Sequence, residues 1–163
     1  SKTSPQMANR MGESAKGVLL PYSNDVFVST DHARGKAASD TPGYGCVMAA
    51  RSTTDCIVGT EWFAEPGDVP EEIGQKAACA LLREISAGGC VDTTHQPWVA
   101  MLMALCSEDV SRVRTGELTV QTADTLRCIR DVAGVVFHCA RDNGTVLLTC
   151  QGCGFKNSMR KAN

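Results

Sequence analysis

The spacing of apolar residues changes several times along the chain, and each change marks an element. Met7, Met11, Ala15 and Val18 recur at helical intervals behind Ser4-Pro5. The pattern predicts a helix with Ser4 as N-cap and Pro5 in its first turn, ending before Pro21. Residues 26–30 (VFVST) are rich in β-branched side chains and read as a strand. From His32 to Gly45 glycine, serine and proline are frequent, which predicts a loop. Two strands follow over 45–52 and 56–65, with STTD between them as a hairpin turn. Pro70-Glu71-Glu72 then opens a second helix, with acidic residues where the helix dipole favours them. Ile73, Ala77, Ala80, Leu81 and Ile85 mark its expected buried face, and Gly88-Gly89 ends it.

Beyond residue 89 the order is helix, strand, helix, strand, strand. The first of these helices, about 95–107, is strongly apolar: Trp98, Val99, Met101, Leu102, Met103 and Leu105. The segment 110–116 (VSRVRTG) reads as a short strand with outward arginines. Residues 122–134 form an amphipathic helix with Leu126, Ile129 and Val132 facing inward. Strands over 135–140 and 145–151 flank Asp142-Asn143-Gly144, a strong hairpin signal. The chain therefore reads as two α/β units, 1–88 and 89–163, with no internal repeat and no low-complexity tract.

Composition narrows the class. A chain of 163 residues, 43% hydrophobic and 21% charged, is ordinary globular usage and long enough to hide roughly 70% of its unfolded surface. A net charge of −2 gives no broad electrostatic case for nucleic acid. Residues 1–88 hold eight Lys/Arg against eleven Asp/Glu, and residues 89–163 hold eight against seven, so a basic patch belongs in the second half. Nine cysteines at irregular spacings read as free thiols in a reducing compartment rather than as a disulfide framework. There is no signal peptide and no apolar run of about twenty residues, so no membrane partner is expected. The opening at Ser1 reads like the middle of a longer protein.

Four groups of residues carry candidate chemistry. Asp92-Thr93-Thr94-His95 is best explained as the start of a helix, with Asp or Thr capping and Pro97 in the first turn. The other reading, a Cys90/His95 nucleophile pair, lacks an orienting third group. Cys150-Gln-Gly-Cys153 with His138 and Cys139 resembles a zinc set. However, adjacent strand residues point to opposite faces, so His138 and Cys139 are poorly placed to share a metal, and none is expected. Arg112 and Arg114 share one face of a strand, and Arg127 and Arg130 one face of a helix. Both pairs suit phosphate or RNA, and both are equally common on solvated surfaces. The tail from Lys156 to Asn163, with Lys156, Arg160 and Lys161, is expected to be flexible and is by itself a weak RNA signal.

Six motifs occur in one order: SPQMANRM (4–11), TDHARGK (30–36), the PEEIGQKAA…LLREI helix, GGCVDTT (88–94), DVSRVRTG (109–116) and CQGCGF (150–155). In them the chain resembles the RNA 3′-terminal phosphate cyclase family over nearly its whole length, and within it the cyclase-like branch that works in ribosome assembly. The resemblance implies an α/β (α+β) fold. Residues 1–88 would be the small inserted α/β domain, and residues 89–163 the last βαβαββ-type repeat of the large domain, in proteins roughly twice as long.

True cyclases link AMP covalently to a histidine that follows a TG-x-x-(T/S) segment. That segment matches Thr115–Thr119, and the histidine's place is taken by Gln121, whose amide is no nucleophile. The acidic residue after Val-Asp is Thr93 here, and the cyclases' Asp-Gln is Pro97-Trp98. Asp92, Thr93, His95, Trp98 and Gln121 would thus form a degenerate cyclase site: an inherited pocket wall without a cofactor.

The resemblance implies a factor of the small-subunit processome in the nucleolus of the nucleus. It would bind precursor rRNA and a ribosome-biogenesis GTPase. An alternative is an endoribonuclease cutting precursor rRNA, with Arg127, Arg130 and Asp131 as the cluster to mutate. An active cyclase comes third.

Overall fold

The computed structural model describes residues 1–33 and 35–156. Its contacts divide the chain into two units. The first takes Ser1–Thr54 and Val58–Ser86, and the second takes residues from Ala87 onward together with Asp55–Ile57. Both units are mixed α/β, as expected.

In the first unit, helix α1 spans Pro5–Leu19 with Ser4 as its N-cap and Pro5 in its first turn. Helix α2 spans Pro70–Ala87, with Glu71 and Glu72 in its first turn. The two helices meet closely at Gly74, where an added Cβ would lie 2.2 Å from the Met11 carbonyl oxygen. One turn away, Arg10 grips Glu71 with two hydrogen bonds of 2.6 and 2.8 Å. Strands β1 (Gly45–Arg51) and β2 (Ile57–Phe63) form an antiparallel hairpin. Met11, Ala15, Val58, Ile73, Ala77, Ala78 and Leu81 make the core.

Two expectations fail in this unit. Residues 26–30 form no strand, and Phe27 is 93% exposed. β-propensity reflects packing against neighbouring strands, and among the described residues this segment pairs with none. The buried face of α2 is also turned slightly from the expected one. Ile85 is exposed and Ala80 only half-buried, whereas Gly74 and Ala78 are buried.

In the second unit, helix α3 (Gln96–Leu105), strand β3 (Val110–Thr115), helix α4 (Val120–Ala133) and strands β4 (His138–Asp142) and β5 (Thr145–Gln151) follow the expected order. The sheet order is β3-β5-β4, antiparallel throughout, with β5 in the centre. The β4–β5 turn is Asn143-Gly144, both at positive φ (49° and 80°), as a two-residue hairpin requires. Val146, Leu148 and Cys150 of β5 are buried. Cys150 closes one core with Ala100, Met103 and Ala104 of α3, Ile129 of α4 and Val135. Strand β4 begins three residues later than the pattern predicts, because Gly134 ends α4 in a left-handed conformation and Val135 turns into the core. Val132, expected inside, is 83% exposed.

Candidate functional site

Two glycine-containing segments pack backbone to backbone at the start of the site. Gly88 and Gly89 have φ of 71° and 94°, and an added Cβ on Gly89 would lie 2.6 Å from the Gly116 nitrogen. The Cys90 amide donates to the Arg114 carbonyl at 2.8 Å. Residues 88–90 are thereby strapped along the end of β3, which fixes where Asp92 falls.

Asp92 is buried, and its Oδ1 accepts the His95 amide at 3.0 Å and meets the His95 ring Nδ1 at 2.7 Å. The Asp92 carbonyl accepts the Gln96 amide at 3.1 Å. Asp92 therefore starts the turn that leads into α3, three residues ahead of the N-cap His95, which itself makes no side-chain cap bond, and Pro97 fits the first helical turn. The His95 side chain is mostly exposed, with Nδ1 held by a carboxylate, an arrangement that leaves Nε2 as the nitrogen available to a ligand. The orienting group that the sequence reading did not find for His95 is thus Asp92. The pairing of Cys90 with His95 does not carry over into the structure. Cys90 has Cys56 as its hydrogen-bonding neighbour, and that bond, followed by burial, raises the Cys90 thiol's pKa. A thiol kept protonated is a poor nucleophile.

Gln96 is the residue that sequence reasoning missed. It is fully buried at the first position of α3, where its Nε2 donates to the Glu117 carbonyl at 3.2 Å. Its Oε1 accepts the Thr119 amide at 3.3 Å and the Thr122 hydroxyl at 3.0 Å. Thr119 caps α4 by accepting the Thr122 amide at 3.0 Å, and the two hydroxyls lie 2.7 Å apart. With Thr122 donating to Gln96, Thr119 must donate to Thr122. Thr115, also buried, donates to its neighbour's carbonyl at 3.0 Å. The whole TGELT segment is thereby locked, and the amino-terminal ends of α3 and α4 meet at Gln96. The available signal was a single amide at the head of a helix otherwise free of polar side chains.

Of the other site positions, Thr93 is half-buried, Trp98 is exposed on α3, and Gln121 is exposed in the first turn of α4. Within this set, a hydrogen bond joins Asp92 and His95.

The arginines separate into two places. Arg112 pairs with Thr149 and Arg114 with Leu147, so both project from the sheet face away from the helices, as does His138, the other partner of Thr149. Arg114 is held by Asp142 at 2.7 Å and Thr145 at 2.8 Å, whereas Arg112 has no ion-pair partner among the described residues. Arg127 and Arg130 lie on the outer side of α4, tied to Asp124 at 2.5 Å and Asp131 at 2.8 Å. Arg127, Arg130 and Asp131 are absent from the lining of an open surface cleft of about 500 Å³ formed by Glu117, Leu118, Cys139, Arg141, Gly144, Thr145 and Val146.

The CQGCG segment closes α3. The Cys153 amide donates to the Ala104 carbonyl and the Gly154 amide to the Cys106 carbonyl, both at 2.8 Å. Two orphan carbonyls at the helix end are thereby satisfied. His138 and Cys139 do point to opposite faces, and among the described residues no three His, Cys, Asp or Glu side chains are grouped to hold a metal. All nine cysteines are free thiols, and no described helix is long and apolar enough to cross a membrane. Of the tail, Asn157–Asn163 lies outside the described residues.

The geometry is that of a mixed α/β protein in which Gln96 of α3 ties down the TGELT segment at the start of α4. Residues 1–86 match the insert domain of RNA 3′-terminal phosphate cyclases, and the chain belongs to the RNA 3′-terminal phosphate cyclase family. It is 39% identical to a probable RNA 3′-terminal phosphate cyclase-like protein of Dictyostelium discoideum, across 98% of this chain and 48% of that protein. It is 37% identical to the rRNA processing protein rcl1 of Schizosaccharomyces pombe, across 99% of this chain and 45% of that protein. An RNA 3′-terminal phosphate cyclase-like protein of Mus musculus is 36% identical, across 96% and 45%. The chain thus spans just under half the length of these relatives.

Proposed function

We propose that the chain is part of an rRNA-processing factor of the cyclase-like branch that acts by binding and not by adenylyl transfer. The observation that carries this reading is Gln121. The segment before it is held in place by Gln96, Thr119 and Thr122, yet the side chain offered next to it is an amide. A primary amide has no lone pair basic enough to attack ATP as imidazole does. The relative named as an rRNA processing protein supports precursor rRNA as the target. Arg112 on the open sheet face, beside Arg114 and His138, is the contact we assign to its phosphates. The small-subunit processome, its GTPase and a nucleolar location belong to the same proposal.

The endoribonuclease reading stands second. Its cluster, Arg127, Arg130 and Asp131, lies on an exposed helix face where each arginine already has a carboxylate partner. Such pairs leave little free charge to stabilise a reacting phosphate.

The test is binding of the chain to a single-stranded precursor-rRNA fragment over a salt series, with an ATP-labelling assay in parallel. We expect Arg112→Ala to weaken binding several-fold and to lower the salt slope by about 1, with no labelled AMP adduct. A labelled band, or RNA binding indifferent to Arg112, overturns the assignment.

A further inference from the structure

On the sheet face turned away from the helices, the register sets three polar side chains in one row across the strands. Arg112 of β3 and His138 of β4 both pair with Thr149 of the central strand β5. Residues opposite one another in a ladder project from the same face, so guanidinium, hydroxyl and imidazole stand side by side. Arg112 and His138 are exposed, and Thr149 is half-buried. Among the described residues none of these three side chains has a hydrogen-bonding partner. The neighbouring rows differ. Arg114 faces Leu147 and Ala140, and its guanidinium is already taken by Asp142 and Thr145. On the other side Val110 pairs with Gln151, whose amide donates to the Glu108 carbonyl. The unspent donors of this face are thus gathered in the Arg112 row.

We propose that Arg112, Thr149 and His138 form a proton-dependent site for one phosphate of a single-stranded RNA, to which the histidine contributes as its imidazolium. The proposal rests on the reading of this face as the contact with precursor rRNA. Two strand spacings set Arg112 and His138 roughly 10 Å apart at the backbone. One phosphate fits between their side chains, above the Thr149 hydroxyl, held by charge-assisted bonds of about 2.8 Å. Besides the histidine, the charged side chains of this face are Arg112 and Arg114 from β3 and Asp142 from β4, since β5 contributes Thr145, Leu147, Thr149 and Gln151. Arg114 and Asp142 neutralise each other, which leaves the field at the row to Arg112. A phosphate beside an imidazole favours its protonated form. Proton and RNA therefore strengthen each other's binding. Affinity is highest at acid pH and falls as pH rises through the histidine range of about 5 to 8.

The experiment follows fluorescence anisotropy of a short labelled oligouridylate titrated with the whole chain, at fixed ionic strength, at about pH 6 and about pH 8. Binding by the unaltered chain should weaken about fivefold across that interval, whereas His138→Gln should change by less than about twofold. Arg112→Ala should weaken binding several-fold at both pH values, and Thr149→Val about twofold. An affinity that does not change with pH overturns the proton-dependent row. So does a pH dependence that survives in His138→Gln or is lost in His95→Gln. If Arg112→Ala still weakens binding in those cases, the reading of the face as an RNA contact stands without the row. Binding indifferent to all three substitutions in the row overturns both.

Discussion

Helices α3 and α4 pack on the same side of one sheet and share one core, yet their outer faces are opposites. On α4 the outward positions carry Arg127 paired with Asp124 and Arg130 paired with Asp131. On α3 they carry Trp98, Leu102 and Leu105. Both helices meet the core with apolar residues, so the inner faces do not distinguish them. Periodicity reports that a helix exists, whereas the chemistry of its faces reports how much of its surface suits burial. Their carboxyl-terminal ends differ in the same way. Gly134 after α4 points into open space, whereas the end of α3 is clasped by the CQGCG backbone.

That contrast gives the largest predicted effect. A Cβ on Gly152 would lie 2.3 Å from the Ser107 carbonyl oxygen and 2.5 Å from that of Cys106, backbone atoms that cannot swing aside. Gly152→Ala should cost about 3–5 kcal/mol in a denaturant titration. Gly134→Ala, strained only by its positive φ of 69°, should cost about 1 kcal/mol. Equal costs would break the distinction between a clasped and an open helix end.

The amino-terminal ends give the next effect. Gln96→Ala removes one side chain and leaves the Glu117 carbonyl, the Thr119 amide and the Thr122 hydroxyl without their partner. Buried groups stranded in this way cost about 1–3 kcal/mol each before relaxation, so a loss of about 3 kcal/mol is expected. Thr119→Ala removes the α4 cap and the hydroxyl bond to Thr122 but leaves the Thr122 bond to Gln96, and should cost about 1 kcal/mol. A Gln96→Ala loss no larger than that of Thr119→Ala would mean that the TGELT segment is held by α4 alone.

These effects also mark what the sequence made legible. All four helices, the Asn143-Gly144 turn and the final strand follow from local rules: caps, spacing and turn chemistry act within a few residues. Arg112 and Arg114 were readable as a same-face pair for that reason, but the separation of Arg112 from the paired Arg114 was not, because Asp142 and Thr145 lie across the sheet. Gln96 was illegible because its three partners are more than twenty residues away in sequence. The strand expected at 26–30 failed for the converse reason: a strand needs a neighbour, and β-branched residues alone do not provide one. The Asp92–His95 pair lay between the two cases. Its spacing of three was visible, but the burial that makes Asp92 a fixed partner was not.

The smallest predicted effect is the sharpest test of the two outer faces. The spacing of Leu126, Ile129 and Val132 placed all three inside, and an inward valine replaced by lysine costs several kcal/mol through burial of an unpaired charge. The structure instead leaves Val132 on the outer side, in the last turn of α4. A cation there faces water and opposes the negative end of the helix dipole. Val132→Lys should therefore change stability by less than about 0.5 kcal/mol, with a gain more expected than a loss, and any gain should shrink as salt is added. A loss of 2 kcal/mol or more would turn Val132 back into the core and give α4 a second apolar face, and its contrast with α3 would then disappear.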